Sequence, residues 1–296
     1  MRFDVREKSL MMVFLLEECN RSCPHCVREE EPMDAGYKLS HTQLRQCLSD
    51  CRRLERVRWV HFSGGEPTLW SDGGRGLTDA LIEVAQAGYQ PGFTTNGSRF
   101  EDYAACCDFF QRYAATAGVP LRTFLSIDTF HGNFDVDSGS CRSLDNLLRY
   151  RDTLPGRRRA LLEVNPLAVV SKDPASLLPE EMMRRYESLG APFRMIPLRP
   201  RGRATRLASE CPDPNSNTEQ GLGAFYRYRP KQVEVGGTPA PNLVLIGNDY
   251  YVSEPEWRVV AKLGHLPEEV VRAYGDPGSE EERDTCDASP TSAPPI

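Results

Sequence analysis

Long apolar runs are missing from this 296-residue chain. The stretch Leu10 to Leu16 is seven residues long, against the ~20 that a membrane-spanning helix needs, so no membrane segment is expected. That run ends in Glu17-Glu18 with no small-residue cleavage site, and no signal peptide is read from it. Charge of one sign is also not in excess: 36 Lys and Arg stand against 42 Asp and Glu, a net charge of -6. That balance argues against nucleic acid or an anionic membrane as the main partner. Without an export signal the chain is expected in the cytoplasm, where thiols stay reduced, so its ten cysteines are not expected to form a disulfide set.

The remaining composition, 40% apolar and 26% charged, is that of an ordinary globule long enough for one large domain with an appendage. Apolar runs alternate with helical patterns. Strands are expected at Leu10 to Leu16, Val57 to Phe62, Tyr89 to Thr94, Leu121 to Ile127, Ala160 to Val164 and Phe193 to Pro197. Helices are expected at Ser40 to Leu54, Leu77 to Ala87, and near Asp102 to Ala117, Leu144 to Leu154 and Glu180 to Leu189. In the first helix Leu44, Cys47, Leu48, Cys51 and Leu54 share one stripe, which puts Cys47 and Cys51 in the core. Near-continuous apolar strands separated by amphipathic helices bury both faces of a parallel sheet. Six such repeats suit an α/β fold of the partial (βα)6, TIM-like barrel type over residues 1–200.

From Arg199 to about Gly237 the texture turns to Pro, Gly, Asn and Arg without periodicity. Short strands at Leu243 to Ile246 and Tyr250 to Val252, with a helix around Pro267 to Tyr274, suggest a small β-rich C-terminal appendage over 201–275. Residues 276–296, rich in Gly, Ser, Glu and Pro, read as a disordered tail.

The chemistry concentrates just after the expected strands. Cys19, Cys23 and Cys26 are spaced C-x3-C-x2-C after the first. Thiolates are soft ligands that select iron–sulfur clusters or zinc, and both ordinarily take four protein donors. Three donors leave one corner for an outside molecule, which points to chemistry more than to a structural staple. The competing reading is a zinc site completed by His25, His41 or a remote cysteine. Ser63-Gly64-Gly65-Glu66-Pro67-Thr68 follows the second strand, and Thr94-Thr95-Asn96-Gly97 the third. Ser126-Ile127-Asp128-Thr129-Phe130-His131 ends the fourth, and Glu163-Val164-Asn165-Pro166 the fifth. In a parallel α/β fold these strand ends form one mouth. Paired glycines let a ligand approach the backbone, and Glu66 can accept hydrogen bonds from an ammonium group. Strand alternation lets Ser126 and Asp128 face one cavity, and likewise Glu163 and Asn165.

Taken together, Cys19-x3-Cys23-x2-Cys26 and Gly64-Gly65-Glu66, each after a strand and in this order, resemble the radical S-adenosylmethionine enzymes over about residues 8–200. The resemblance implies a [4Fe–4S] cluster on the three cysteines and S-adenosyl-L-methionine chelated at the fourth iron. It implies Gly64, Gly65 and Glu66 at the methionine amino group, His25 near the adenine, and Ser126 and Asp128 at the ribose or methionine portion. Asn96, Glu163 and Asn165 at the mouth complete the expected cofactor set. It also implies a one-electron donor such as flavodoxin or ferredoxin, and a 5′-deoxyadenosyl radical that takes hydrogen from a small-molecule or peptide substrate. No leader-peptide-binding domain is evident.

His131 is a candidate for proton transfer or substrate contact. Arg194, Arg199, Arg201, Arg203 and Arg206 suit an anionic group on the substrate. The appendage carries Gly247 to Val252 and Leu263-Gly264-His265-Leu266, a trace of the cysteine-rich domains of some members, with Val252 where that pattern has cysteine. Only Cys211 and Cys286 lie beyond residue 200, too few for an auxiliary cluster. A redox-neutral outcome is therefore expected: epimerisation, rearrangement or C–C bond formation, with Cys211 as a candidate hydrogen-atom donor. The alternatives are an activase that makes a glycyl radical on a partner protein, and a non-catalytic iron–sulfur or zinc protein.

Overall fold

The structure, a computed structural model, describes residues 9–26, 35–54, 57–135, 137–199, 202–210, 242–246, 249–253 and 259–264. Six strands run parallel: β1 (Ser9–Phe14), β2 (Val57–Ser63), β5 (Gln90–Thr95), β6 (Leu121–Ser126), β7 (Leu162–Val170) and β8 (Arg194–Pro197). Between consecutive strands of this set stand α1 (His41–Cys51), α2 (Leu77–Gln86), α3 (Tyr103–Thr116), α4 (Arg142–Thr153) and α5 (Glu180–Ser188). A two-residue hairpin, β3 (Ser71–Asp72) with β4 (Arg75–Gly76), precedes α2. The sheet continues beyond β1 through β9 (Asn242–Ile246), β10 (Asp249–Ser253) and β11 (Val259–Gly264), in the order β11-β10-β9-β1-β2-β5-β6-β7-β8. β9 lies parallel to β1, and β10 and β11 return antiparallel. This is the α/β, partial TIM-like barrel architecture that the repeats predict. The helix expected at Pro267 to Tyr274 and the tail 276–296 lie outside the described residues.

Helix starts follow local chemistry. Ser40 caps α1 reciprocally: its Oγ accepts from Gln43 N at 3.2 Å, and Gln43 Oε1 accepts from Ser40 N at 2.7 Å, closing a capping box. Cys47 and Cys51 are buried in the core beside Leu44 and Leu54, as the stripe predicts. No helix among the described residues is long and apolar enough to cross a membrane.

The two faces of the central strands differ, whereas near-continuous apolar runs had suggested burial on both. β6 alternates buried Leu121, Thr123 and Leu125 with half-buried Arg122, Phe124 and Ser126. β7 alternates in the same way, with Glu163 and Asn165 on its half-buried face. The buried set packs on the helices through Leu144, Leu147, Met182 and Tyr186. The other set lines the concave side of the sheet, which therefore carries charge.

β7 is also longer than the sequence predicts, because Pro166 does not end it. Leu167 O accepts from Ile127 N at 2.7 Å, so in the extended chain the neighbouring Pro166 turns its nitrogen to the other side. There β8 pairs only from Leu167 onward. The missing N–H interrupts no ladder bond.

Phe93 is fully buried on β5, with ring centroids 6.2 Å from Phe100 and 5.6 Å from Phe109. Phe93→Ala is expected to destabilise the fold by about 3–5 kcal/mol, read as a lower urea midpoint. Leu69→Ala, at a position 38% exposed, is expected to move it by less than about 0.5 kcal/mol.

Candidate active site

The ladder between β1 and β2 does not stop where the strands end. Leu15 N donates to Ser63 O at 2.9 Å, Gly65 N to Leu16 O at 2.7 Å, and Glu66 N to Glu18 O at 2.9 Å. On its other side the same strip is held by Glu17 N to Tyr37 O at 2.9 Å and Leu39 N to Leu15 O at 2.7 Å. Residues 15–18 are thus fixed from both sides before the cysteine loop begins. Only glycine permits this approach. A Cβ on Gly65 would stand 1.8 Å from Glu18 O, and one on Gly64, whose φ is 122°, would stand 2.4 Å from Leu16 O; Gly64 also lies in the left-handed half of backbone space.

Glu66 is 1% exposed and accepts four hydrogen bonds. Thr68 N at 3.1 Å, Thr68 Oγ1 at 2.7 Å and Thr95 Oγ1 at 2.7 Å reach Oε1, while Asn96 N at 2.8 Å reaches Oε2. No ion pair to this carboxylate exists among the described residues. A buried carboxylate with donors but no cation is suited to an incoming ammonium group.

Cys19, Cys23 and Cys26 are half-buried and carry no disulfide. Cys26 N closes a turn onto Cys23 O at 3.2 Å, and Cys26 O accepts from Arg203 N at 3.0 Å, which brings the 3₁₀ segment Gly202–Glu210 onto the loop. Asn96 Nδ2 lies 2.8 Å from Asn20 Oδ1 and 3.9 Å from Cys19 Sγ. Arg21 spans the mouth, with Nη1 donating to His131 O at 2.7 Å and Nη2 paired to Glu101 at 3.3 Å.

Behind Cys23 two histidines share Asp128. His131 Nδ1 is 2.8 Å from Asp128 Oδ1, and His25 Nε2 is 4.0 Å from Asp128 Oδ2. The Asp128 carboxylate, fully buried, also accepts from Val169 N at 3.1 Å. Burial would raise the Asp128 carboxyl, but His131, His25 and the Val169 N–H hold it below the ordinary carboxylate range. Burial lowers His25 to about 4, overriding the nearby Asp128 charge, with His131 adding to the lowering. Burial would also lower His131, yet the bonds and charges of Asp128 and Cys23 bring it up to about 9. At neutral pH His25 is therefore a neutral ring and His131 an imidazolium against a carboxylate. The His25 ring lies 4.9 Å from that of Phe130 and 4.7 Å from that of His131, and its Nδ1 is buried with no partner.

The residues present fit the two groups that the motifs imply. Three reduced thiols on one loop suit an iron–sulfur cluster. The unpaired Glu66 carboxylate suits an ammonium, and the orphaned His25 Nδ1 suits a hydrogen-bonding heterocycle. Zinc has a counter-claim, since one ligand atom each of Cys23, His25 and His131 lies within 4.8 Å of the others. Thiols from Cys19 and Cys26 on the same loop, with the Glu66 cradle beside it, favour the cluster.

Of the expected residues, the fold gathers Cys19, Cys23, Cys26, His25, Gly64, Gly65, Glu66, Asn96, Asp128 and His131 at one end of the sheet. Ser126, the last residue of β6, stands there too, its carbonyl accepting from Asn133 Nδ2 at 2.6 Å. Strand parity does not extend from Ser126 to Asp128, because β6 ends at Ser126. Glu163 and Asn165 are not at the mouth, and this corrects the expectation. Leu167 is level with Ser126, so Glu163, four residues earlier, lies about 13 Å back along the strand. There Glu163 accepts from Arg122 Nε at 2.6 Å. Cys211 lies outside the described residues. Thr68, Thr95, Arg21 and Asn133 were not assigned roles from sequence. The two threonines fell inside the marked strand-end groups and Arg21 inside the cysteine loop, whereas Asn133 has no local pattern to mark it.

Residues 13–132 match the family model of the Radical SAM superfamily. Among curated proteins, the chain is 33% identical over 86 residues to a PqqA peptide cyclase of Rhodopseudomonas palustris, and 27% identical over 105 residues to an uncharacterized protein of Archaeoglobus fulgidus. Those alignments take in 29% and 36% of this chain, and 20% and 23% of the relatives' own length. Among solved structures, Streptococcus suis SuiB bound to precursor peptide SuiA aligns with a TM-score of 0.41 at 14% identity, over 62% of this chain and 36% of that one. The anSMEcpe structure with bound AdoMet and Cp18Cys peptide aligns with a TM-score of 0.42 at 17% identity, over 64% of this chain and 51% of that one.

Gly65→Ala is expected to lower iron and sulfide retained after anaerobic reconstitution by about tenfold or more, since it displaces the strip that carries the ligand loop. Gly118→Ala, where a Cβ meets nothing within 4 Å, should cost about 1–2 kcal/mol of backbone strain and leave the iron content unchanged.

Proposed function

We propose, from the match of residues 13–132 to the Radical SAM superfamily model, that the protein is an enzyme cleaving S-adenosylmethionine to act on a peptide or small-metabolite C–H bond. The observation that carries this reading is the Gly64-Gly65 strap, which joins the cysteine loop to the unpaired buried carboxylate of Glu66. When bound, the [4Fe–4S] cluster and S-adenosylmethionine supply a 5′-deoxyadenosyl radical capable of taking a hydrogen atom from substrate.

The protein's share of the work is positioning. Cys19, Cys23 and Cys26 hold the cluster. Glu66, oriented by Thr68, Thr95 and Asn96, receives the methionine ammonium. His25, kept neutral by burial and wedged against Phe130, offers its Nδ1 to the adenine. Asp128 serves through the histidines: it fixes His131 and holds a proton on it. Arg21 and Asn133 tie the loops of the mouth together, which limits motion where an ångström of misplacement would expose the wrong hydrogen.

Similarity to the peptide cyclase over 86 residues supports a peptide as substrate. The proposed outcome is redox-neutral, and a flavodoxin- or ferredoxin-like protein is the proposed electron source.

Reconstituted protein reduced with dithionite is expected to form 5′-deoxyadenosine from S-adenosylmethionine, detected by liquid chromatography. Cys23→Ser should abolish it, while Cys107→Ser, on α3 away from the loop, should retain it. Zinc in place of iron and sulfide, or an EPR signal that S-adenosylmethionine leaves unchanged, would refute the reading. Glu66→Gln removes the charge and sets an amide NH₂ against either the three donors at Oε1 or the one at Oε2; a rise in KM for S-adenosylmethionine of about tenfold or more is expected.

A further inference from the structure

The concave face of the sheet below the mouth holds a group of side chains that the cofactor chemistry does not use. Arg122 lies level with Gly92 on one side and Glu163 on the other, and Phe124 one layer above is level with Thr94 and Asn165. Arg194 begins β8 level with Leu167 and reaches back over Phe124, its guanidinium carbon 5.6 Å from the ring centroid. The Arg122 guanidinium stacks on Trp59 at 3.1 Å from the centroid. Its Nε is engaged by Glu163 at 2.6 Å.

Two guanidiniums thus stand near one carboxylate, which Arg122 alone bonds, and this leaves one positive charge in excess among the described side chains of this face. Among the described residues no hydrogen bond or ion pair is made by the Arg194 guanidinium, and Arg122 uses only its Nε. Partial burial, with the Arg122 charge close by, lowers the pKa of Arg194, and Glu163 offsets this only in part. The Trp59 and Phe124 faces favour each guanidinium, while two like charges beside a single carboxylate leave a place that a second anion would fill. The backbone makes room for the arrangement at Gly92, where a Cβ would meet His61 Nδ1 at 2.8 Å and Arg122 O at 3.2 Å.

We propose that Arg122 and Arg194, set against the Trp59 and Phe124 rings, form the receptor for one carboxylate of the substrate. A net charge of one suits a carboxylate better than a phosphate dianion, and the free edges of two guanidiniums match its two oxygens. Arg194 starts at the level of Ser126 and Arg122 lies about 13 Å deeper, so an anchored carboxylate leaves the rest of the substrate pointing to the mouth. The proposal rests on the functional reading above in one respect, that this face receives the substrate.

The test is calorimetric titration of the full chain at low ionic strength with three probes: Ac-Gly-Glu-Gly-NH₂, its Gln analogue, and Ac-Gly-Gly-Gly-OH. At least one carboxylate probe is expected to bind about tenfold or more tighter than the Gln peptide. Preference for the Glu peptide identifies a side-chain carboxylate, and preference for the free terminus a chain end. Arg194→Gln, which breaks no bond in the fold, should remove about tenfold of that affinity. Arg184→Gln, which removes an exposed charge of α5, should leave it unchanged. The proposal is overturned if the three probes titrate alike, if none binds by about 10 mM, or if Arg194→Gln binds as the parent does. The 5′-deoxyadenosine assay on the same parent preparation separates the outcomes: cleavage without carboxylate preference removes this site alone, whereas no cleavage removes the functional reading.

Discussion

Two backbone hydrogen bonds, from Gly65 N to Leu16 O and from Glu66 N to Glu18 O, set the relative position of everything at the mouth. They extend the β1–β2 ladder past the end of the strands, so the cysteine loop and the Glu66 loop are placed by one continuous piece of sheet. Each bond is modest in net energy, but neither forms with a side chain at Gly64 or Gly65. The constraint is therefore geometric before it is energetic. Once the strip is fixed, Cys19 emerges beside Asn96, and Glu66 turns inward to donors from its own loop and from the end of β5.

Much of the arrangement was legible in the sequence because it is carried by local patterns. The apolar runs place the strands, the helical stripe of α1 places Cys47 and Cys51 in the core, and the two motifs mark the mouth. Legibility failed where a tertiary neighbour decided the outcome. Pro166 reads as the end of a strand, yet β7 continues through it because β8 has not begun on that side. That single difference moves Glu163 and Asn165 from the mouth to the middle of the concave face. The roles of Arg21 and Asn133 were invisible for a related reason: each reaches a carbonyl far away in sequence, His131 O in one case and Asn96 O in the other.

Electrostatics divides the site in a way that composition does not disclose. The mouth concentrates carboxylates and sulfur, with Glu66 and Asp128 both buried. His25 is neutral there, and the positive charge of His131 is spent on Asp128. Below, on the concave face, the excess charge is positive. A chain of net charge -6 thus sets the buried Glu66 carboxylate at the mouth and the Arg194 guanidinium over Phe124 on the concave face.

This separation bears on radical chemistry directly. A carbon radical has little intrinsic selectivity, so the hydrogen it removes is chosen by which C–H bond is held closest. In the proposed reading, two anchors of opposite sign would fix two molecules without competing for each other's partner: an ammonium would be drawn to Glu66 and repelled by Arg194, and a carboxylate the reverse. The depth between the anchors then sets how far a substrate C–H bond stands from the mouth. Because Trp59, Phe124 and Gly92 fix the lower anchor and the glycine strap fixes the upper, that distance is held by the sheet itself rather than by mobile side chains. Selectivity follows from strand register, and a change that shifted β6 against β7 by two residues would alter it even with every polar group retained.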